Sequence, residues 1–202
     1  MTAQEEFWKW FIHREAELFL FDPVKEVERE RIFDELAGAL AKVDPNLTFE
    51  FGPNGISREF VISAGGIKSA FPAVVSLTKA APALDRWKII AFRPRRAPNI
   101  VELGNKRIDP SDVQFSLLDN GQIAGIHLFI PGFREDDIGF KQIGYLLLDE
   151  MLGEYDVGSR LGLIEMLSPQ ARTKGDRYPL AELPGLFDKL VSRLERRSGK
   201  PS

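Results

Sequence analysis

The sequence predicts an α/β protein of the α+β type, in which a mixed sheet carries packed helices. Three observations support this fold class. Apolar residues recur with a helical period at both ends of the chain, they alternate with polar residues in between, and the order hairpin, helix, strand occurs twice. We expect one domain over residues 1–202, whose two strand-containing units form either one mixed sheet or two sheets side by side.

The N-terminal part, residues 1–43, predicts a hairpin of two helices. Residues 4–21 and 24–42 carry apolar residues at helical spacing, and Asp22-Pro23 separates them, with the proline near the first turn of the second helix. The first helix has a wide aromatic arc, made of Phe7, Trp8, Trp10 and Phe11. More apolar area than one face can bury is typical of a protein interface. Alternatively, the sheet and the second helix cover the whole arc.

The first ββαβ unit spans residues 44–98. Apolar and polar residues alternate on both sides of Asn54-Gly55, a pair that favours a hairpin turn because both residues tolerate positive φ. A helix follows over 67–80. The nearly continuous apolar run over 86–92 then predicts a strand buried on both faces, and a shorter strand is expected over 99–103.

The second ββαβ unit, residues 109–168, repeats this order around Asn120-Gly121, with a helix over 136–152 and a strand over 160–166. A shift of 66 residues places Phe49 on Phe115 and Asn54 on Asn120. The two units are either an internal pseudo-repeat or two ordinary hairpin-plus-crossover units. In both cases each helix is expected to connect parallel strands. An amphipathic C-terminal helix over 178–198 completes the chain.

The composition excludes several classes of site. The 202 residues contain no cysteine, which rules out disulfides and thiolate metal sites. The net charge of −3 gives no field that would attract nucleic acid. No apolar run approaches the roughly 20 residues of a membrane span, and the first residues are acidic, unlike a signal peptide. We therefore expect a cytoplasmic protein with no nucleic acid or membrane partner, no metal site and no cofactor.

Two arginines, Arg93 and Arg95, follow the apolar run over 86–92, and Pro94 holds the chain extended between them. Guanidinium groups at the end of a strand bind carboxylate or phosphate in bidentate geometry, so both are candidate binding residues. Alternatively, they anchor the loop through salt bridges.

Acidic residues gather where the helix over 136–152 is expected to stop at Gly153. They are Asp149, Glu150, Glu154 and Asp156. The helix dipole disfavours each such charge by about 0.3–1 kcal/mol. We expect the first two in the last helical turn and the other two, on either side of Tyr155, in a loop. Paired carboxylates perform acid/base catalysis or hold divalent ions; alternatively, they are solvated.

The two histidines, His13 and His127, lie far apart in sequence and have no metal-ligand spacing. His127 falls on the polar side of its predicted strand, where a solvated or packed histidine is favoured over a catalytic base. No phosphate-binding loop or nucleophile elbow occurs.

Two neighbouring runs in the second unit carry a resemblance to known proteins, Gly144-Tyr145-Leu146-Leu147-Leu148-Asp149-Glu150 and Leu152-Gly153-Glu154-Tyr155-Asp156-Val157. Through these runs the chain resembles an uncharacterised family of bacterial proteins of unknown function. The resemblance extends to Trp10-Phe11, to residues 47–50 and to residues 87–95, and so covers nearly the whole chain as one module. It implies a bacterial source and no established activity, and no catalytic residues are carried over.

The sequence favours a bacterial cytoplasmic protein that binds a partner protein or a second copy of itself, without catalysis, through the aromatic arc. The alternative is a carboxylate-based hydrolase, with or without a metal ion, that acts on an anionic small molecule. Its acids would be Glu154, Asp156 and Glu165, and Arg93 or Arg95 would bind the anion. Tyr155, between two of these acids, is a further candidate binding residue. Convergence of Glu154, Glu165 and Arg93 in one pocket would favour the enzyme.

Overall fold

The computed structural model describes residues 1–21 and 24–199 and has the predicted α+β class. Contacts divide the chain into two compact units, Met1–Arg93 and Pro94–Ser202. Each unit has its own hydrophobic core and its own sheet. The boundary falls between the two predicted hairpins. That residues 1–202 form one domain stays a prediction.

The helices of the first unit are α1 (Ala3–His13), α2 (Glu15–Leu20), α3 (Glu26–Ala41) and α4 (Phe71–Lys79). The single helix predicted over 4–21 is wrong in one respect: α1 and α2 separate at Arg14, whose φ of −102° and ψ of 4° depart from helical values. A capping box of Thr2 and Glu5 begins α1. The predicted role of Pro23 lies outside the described residues.

The sheet of the first unit contains β1 (Thr48–Phe51), β2 (Arg58–Ser63) and β3 (Trp87–Ala91), in that spatial order. β1 is antiparallel to β2, and β3 is parallel to it, with α4 in the connection as predicted. The prediction that residues 86–92 are buried on both faces is wrong. β3 is an edge strand and mostly half-buried, whereas the central strand β2 is almost fully buried.

The aromatic arc of α1 lies in the core of the first unit. Phe7, Trp8 and Phe11 are buried, and Trp10 is half-buried. The rings of Phe7 and Phe11 pack on Phe60 of β2, at centroid distances of 6.4 and 5.1 Å. The prediction of an exposed aromatic interface is therefore wrong, because the sheet provides a facing aromatic side chain that covers the arc.

The second unit has helices α5 (Ile138–Leu152), α6 (Glu154–Arg160) and α7 (Leu183–Ser198). Its strands are β4 (Val101–Leu103), β5 (Lys106–Ile108), β6 (Gln114–Asp119), β7 (Ala124–Phe129), β8 (Leu161–Leu167) and β9 (Tyr178–Pro179). β4 and β5 form a hairpin, and the larger sheet has the order β8-β7-β6-β9. β6 and β7 are antiparallel, and β8 is parallel to β7.

The two hairpins have corresponding registers. Adding 66 to both members of the pair Phe49–Ile62 gives Phe115–Leu128, which is the observed pair in the second unit. The third strands, β3 and β8, do not pair in the same register, since a β-bulge near Ala124 shifts the pairing of β7 with β8 by one residue.

The junction of α5 and α6 consists of Gly153 alone, with φ of 80° and ψ of 146°. The predicted helix stop is confirmed. The predicted loop for Glu154 and Asp156 is wrong, because α6 begins at once and both acids lie in its first turn. The helix dipole favours negative charge at this end. No helix in the described part of the chain is long and apolar enough to cross a membrane.

Candidate binding pocket

Arg95 is held by an ion-pair network inside the second unit. Its Nε donates to the carbonyl oxygen of Leu152 at 2.9 Å, and its terminal nitrogens donate to Asp156 and Asp188 at 2.8–2.9 Å. Arg160 also pairs with Asp156, at 3.4 Å. The guanidinium of Arg95 lowers the pKa of Asp188. Of the two interpretations of this arginine, the geometry supports the anchoring salt bridge.

Arg93, in the first unit, pairs with Glu50 of β1, the Nε–Oε1 distance being 2.5 Å. The remaining predicted site residues lie in the second unit. Glu154 is buried, with 1% of its surface exposed, whereas Tyr155 and Glu165 are about half exposed. Glu165 lines a cavity of about 420 Å³ that Glu154 does not line. In the described residues, no group of three or more histidine, aspartate or glutamate side chains could hold a metal ion.

A polar trio not foreseen from the sequence crosses the second sheet. Ser116, His127 and Glu165 lie directly opposite one another on β6, β7 and β8. The Oγ of Ser116 is 3.4 Å from Nδ1 of His127, whose Nε2 is 2.9 Å from the carboxylate of Glu165. Ser116 is fully buried. Because a nucleophile must reach its substrate, the trio is better understood as cross-strand polar packing.

A pocket in the first unit is walled by phenylalanine side chains. We call it the phenylalanine pocket, and its walls are Phe21, Phe33, Phe49 and Phe51. Its volume is about 450 Å³. Phe49 and Phe51 are two positions apart on β1 and so lie on one face of the sheet. Phe21 follows α2, Phe33 projects from α3, and contacting rings are 5.1–6.1 Å apart.

The wall of the pocket is open to solvent at Phe33, which is 36% exposed. The loop after β1 supplies the rest of the rim through Gly52, Pro53 and Asn54. The pocket is thus a surface site of apolar character, of the size at which small ligands and single side chains bind.

Arg58 also lines this pocket and is 3% exposed. As the first residue of β2 it lies two positions before Phe60 and therefore points to the core side of the sheet. Its Nε donates to the carbonyl oxygen of Gly52 at 3.1 Å. One terminal nitrogen, Nη1, donates to the carbonyl oxygens of Leu18 and Phe19 in the last turn of α2, at 3.0 and 3.2 Å.

Two aromatic rings enclose the guanidinium of Arg58, whose central carbon is 4.3 Å from the ring centroid of Phe21 and 4.6 Å from that of Phe51. Such contacts stabilise a desolvated cation. Burial lowers the pKa of Arg58. Among residues 1–21 and 24–199 no carboxylate forms an ion pair with it, and none accepts a hydrogen bond from its second terminal nitrogen, Nη2.

The pocket adjoins the free edge of a sheet. β1 is the outer strand, and the amide of Gly52 donates a hydrogen bond to the carbonyl of Glu59. In an antiparallel pair every second residue bonds to the neighbouring strand, and the residues between have outward-pointing backbone groups. Glu50, two residues before Gly52, therefore bonds to β2, whereas the backbone groups of Phe49 and Phe51 point outward. No described residue pairs with these outward groups.

The core-facing position of Arg58 was predictable from the sequence but was not predicted. The alternation that places Phe60 and Ile62 on the core face also places Arg58 there, two residues earlier. A charged residue in phase with core positions indicates either a buried ion pair or a binding site. Phe33 gave no such signal, because its position on α3 fits a core position equally well.

Comparison of the chain with family models, curated proteins and solved structures finds no match.

Proposed function

We propose that this protein binds a partner protein, without catalysis, by pairing an extended segment of the partner with β1 and placing one apolar side chain in the phenylalanine pocket. The observation that carries the proposal is an open aromatic pocket beside a strand edge whose outward backbone groups have no partner in the described chain. Addition of a strand to a sheet edge is a common mode of peptide recognition, in which adjacent pockets select the side chains.

The expected binding energy is modest. Burial of one leucine or phenylalanine side chain contributes about 1.5–3 kcal/mol. Each main-chain hydrogen bond adds about 0.5–1.5 kcal/mol. Ordering a flexible peptide opposes both contributions, so we expect affinities in the micromolar range.

Exposed aliphatic residues occur in the chain on both sides of Phe21. Leu20, Val24 and Val27 are all largely exposed. Single exposed apolar residues are ordinary, but a concentration of them is typical of interaction surfaces. Their position in the sequence supports the assignment of this region to partner binding.

The test is selection of a random peptide library on the immobilised full-length protein. We expect selected peptides to lose at least tenfold in affinity on Phe33→Ala, which removes the exposed wall of the pocket. The matched control is Ile138→Ala, which removes an exposed apolar side chain from the second unit and should leave binding unchanged. Thermal melts verify that both variants are folded. Failure to recover a peptide, or peptides that bind Phe33→Ala as tightly as the wild type, would contradict the proposal.

The carboxylate-based hydrolase has less support. Asp156 is engaged by Arg95 and Arg160, Glu165 by His127, and Glu154 is enclosed. These acids are held by their own unit rather than presented to a substrate.

Three attributes of the protein remain proposals. A bacterial source rests on the family resemblance, and a cytoplasmic location rests on the absence of cysteine. An internal repeat of the ββαβ segments is supported by the common offset of 66 residues in the two hairpins.

A further inference from the structure

Arg58 differs from the neighbouring arginines of its unit. Arg86 also lies over an aromatic ring, that of Phe19 at 4.4 Å, but it pairs with Glu15 at 2.6 Å. Arg14 pairs with Glu17 and Glu35 in the same way. Arg58 is the most buried of the three, yet its described partners are neutral carbonyl groups and rings.

The donors of Arg58 can be counted. An arginine has five N–H groups. Nε uses its one on Gly52, and Nη1 uses its two on Leu18 and Phe19. The two on Nη2 have no acceptor among the described residues, and Arg58 is part of the pocket lining. Three of the five donors are therefore used by described residues, and the other two are not.

We propose that the segment bound in the phenylalanine pocket carries a carboxylate next to its apolar side chain, and that Nη2 of Arg58 binds this carboxylate. The inference rests on the proposed function, which it deepens by naming the chemistry of the partner. A buried cation without a counter-ion is costly, and an anionic ligand removes that cost. The hydrogen bond is charge-assisted at both ends and lies beside the rings of Phe21 and Phe51, in surroundings of low polarity that strengthen it.

A carboxylate fits this site better than a phosphate. Only one terminal nitrogen of Arg58 lacks an acceptor among the described residues, whereas phosphate sites combine several donors. The other charged side chain of the lining, Glu50, is paired with Arg93. The aromatic walls require an apolar group beside the anion. One source satisfies these conditions in a paired strand, namely the C-terminal carboxylate of a partner that ends in a bulky apolar residue. The side chain of an aspartate or glutamate next to that residue would point to the opposite face of the sheet.

The experiment compares three acetylated pentapeptides on the full-length protein by calorimetry and NMR. The first is Thr-Val-Thr-Val-Phe with a free C-terminus, and the second is the same peptide as the amide. The third is Thr-Val-Thr-Glu-Phe as the amide, whose acidic side chain should lie on the opposite face of the paired strand. We expect the free acid to bind at least tenfold more tightly than either amide. Tighter binding of the third peptide than of the first would overturn the assignment to a C-terminal carboxylate.

Two variants test whether Arg58 causes this difference in affinity. Arg58→Gln should abolish the preference for the free acid, whereas Arg86→Gln, which alters an arginine with its own acid partner, should retain it. Because Arg58 also holds the last turn of α2, Arg58→Gln is expected to lower stability. The wild type therefore supplies a second readout: the side-chain NH resonances of Arg58 should shift with the free acid and not with its amide.

The outcomes separate the two proposals. If all three peptides bind equally and all lose affinity on Phe33→Ala, the pocket binds partners but the carboxylate inference is overturned. If none binds at millimolar concentration, both proposals fall. An acid preference that Arg58→Gln leaves intact also overturns the inference, because the carboxylate then binds elsewhere.

Discussion

Two arginines show what a guanidinium does at the end of a helix in this fold. Arg95 bonds to the last carbonyl of α5, and Arg58 bonds to two carbonyls in the last turn of α2. Both positions complement the negative end of a helix dipole. They differ in their counter-ions, since Arg95 has two aspartates and Arg58 has none in the described chain. The first arginine is therefore structural, and the second is the candidate for ligand binding.

The Arg95–Asp188 pair predicts a pH dependence of stability. Since Arg95 lowers the pKa of Asp188 in the folded protein, the pair contributes its full stability above the unfolded pKa of about 3.9. This contribution is lost as the pH falls through the lowered pKa. We expect Asp188→Asn to reduce the melting temperature at pH 7 by no more than a few degrees, because the pair is partly exposed. The gap to the wild type should begin to narrow below about pH 4 and close as the pH falls through the lowered pKa of Asp188.

The control for this pair is the Arg95→Met background, measured in thermal melts over the same pH range. There the same Asp188→Asn change should have little effect at any pH, because its partner is gone. A gap that stays constant down to pH 2 would show that the carboxylate charge of Asp188 does not stabilise the fold.

At the scale of elements, local turn chemistry was the most reliable guide. The Asn-Gly turns located both hairpins, and Gly153 located the end of α5. Strands β5 and β9 were missed because two or three residues carry no periodicity. The run over 86–92 was taken for a central strand because apolar composition does not distinguish an edge strand from a central one. The aromatic residues of α1 were wrongly predicted to be exposed, because the strand that buries them, β2, is distant in sequence.

Close packing of α5 on β8 gives a second prediction, at Gly144. A Cβ atom there would lie 2.6 Å from Cε and 2.8 Å from Cγ of Met166. We expect Gly144→Ala to destabilise the protein by about 1–3 kcal/mol through overpacking, although alanine is intrinsically the better helix former. Denaturant unfolding measures the change.

Gly38, in the interior of α3, is the matched control. A Cβ atom there meets nothing within 4 Å, so Gly38→Ala should stabilise the protein by up to about 1 kcal/mol. If Gly144→Ala were as stable as Gly38→Ala, the close approach of α5 to β8 would not constrain this position.

At the scale of the whole molecule, the sequence predicted the fold class, the order of the main elements and the parallel connections. It left open whether the strands form one sheet or two; among the described residues the first unit has one sheet, and the second has a four-stranded sheet and the separate β4-β5 hairpin. The candidate site was not predicted. Its residues come from α2, α3, β1 and β2, and only the tertiary structure brings Phe21, Phe33 and Arg58 together around β1. The residues that were predicted, Arg95 and Asp156 above all, proved to be partners of one another.

The central claim is that a partner segment pairs with the free edge of β1, and amide hydrogen exchange tests it most directly. In the free protein the amides of Phe49 and Phe51 should exchange rapidly, whereas that of Glu50, bonded to β2, should exchange slowly. When a selected peptide is bound, the first two should become protected while Glu50 changes little. Tight binding of a peptide that leaves Phe49 and Phe51 as exchangeable as before would contradict strand pairing at this edge.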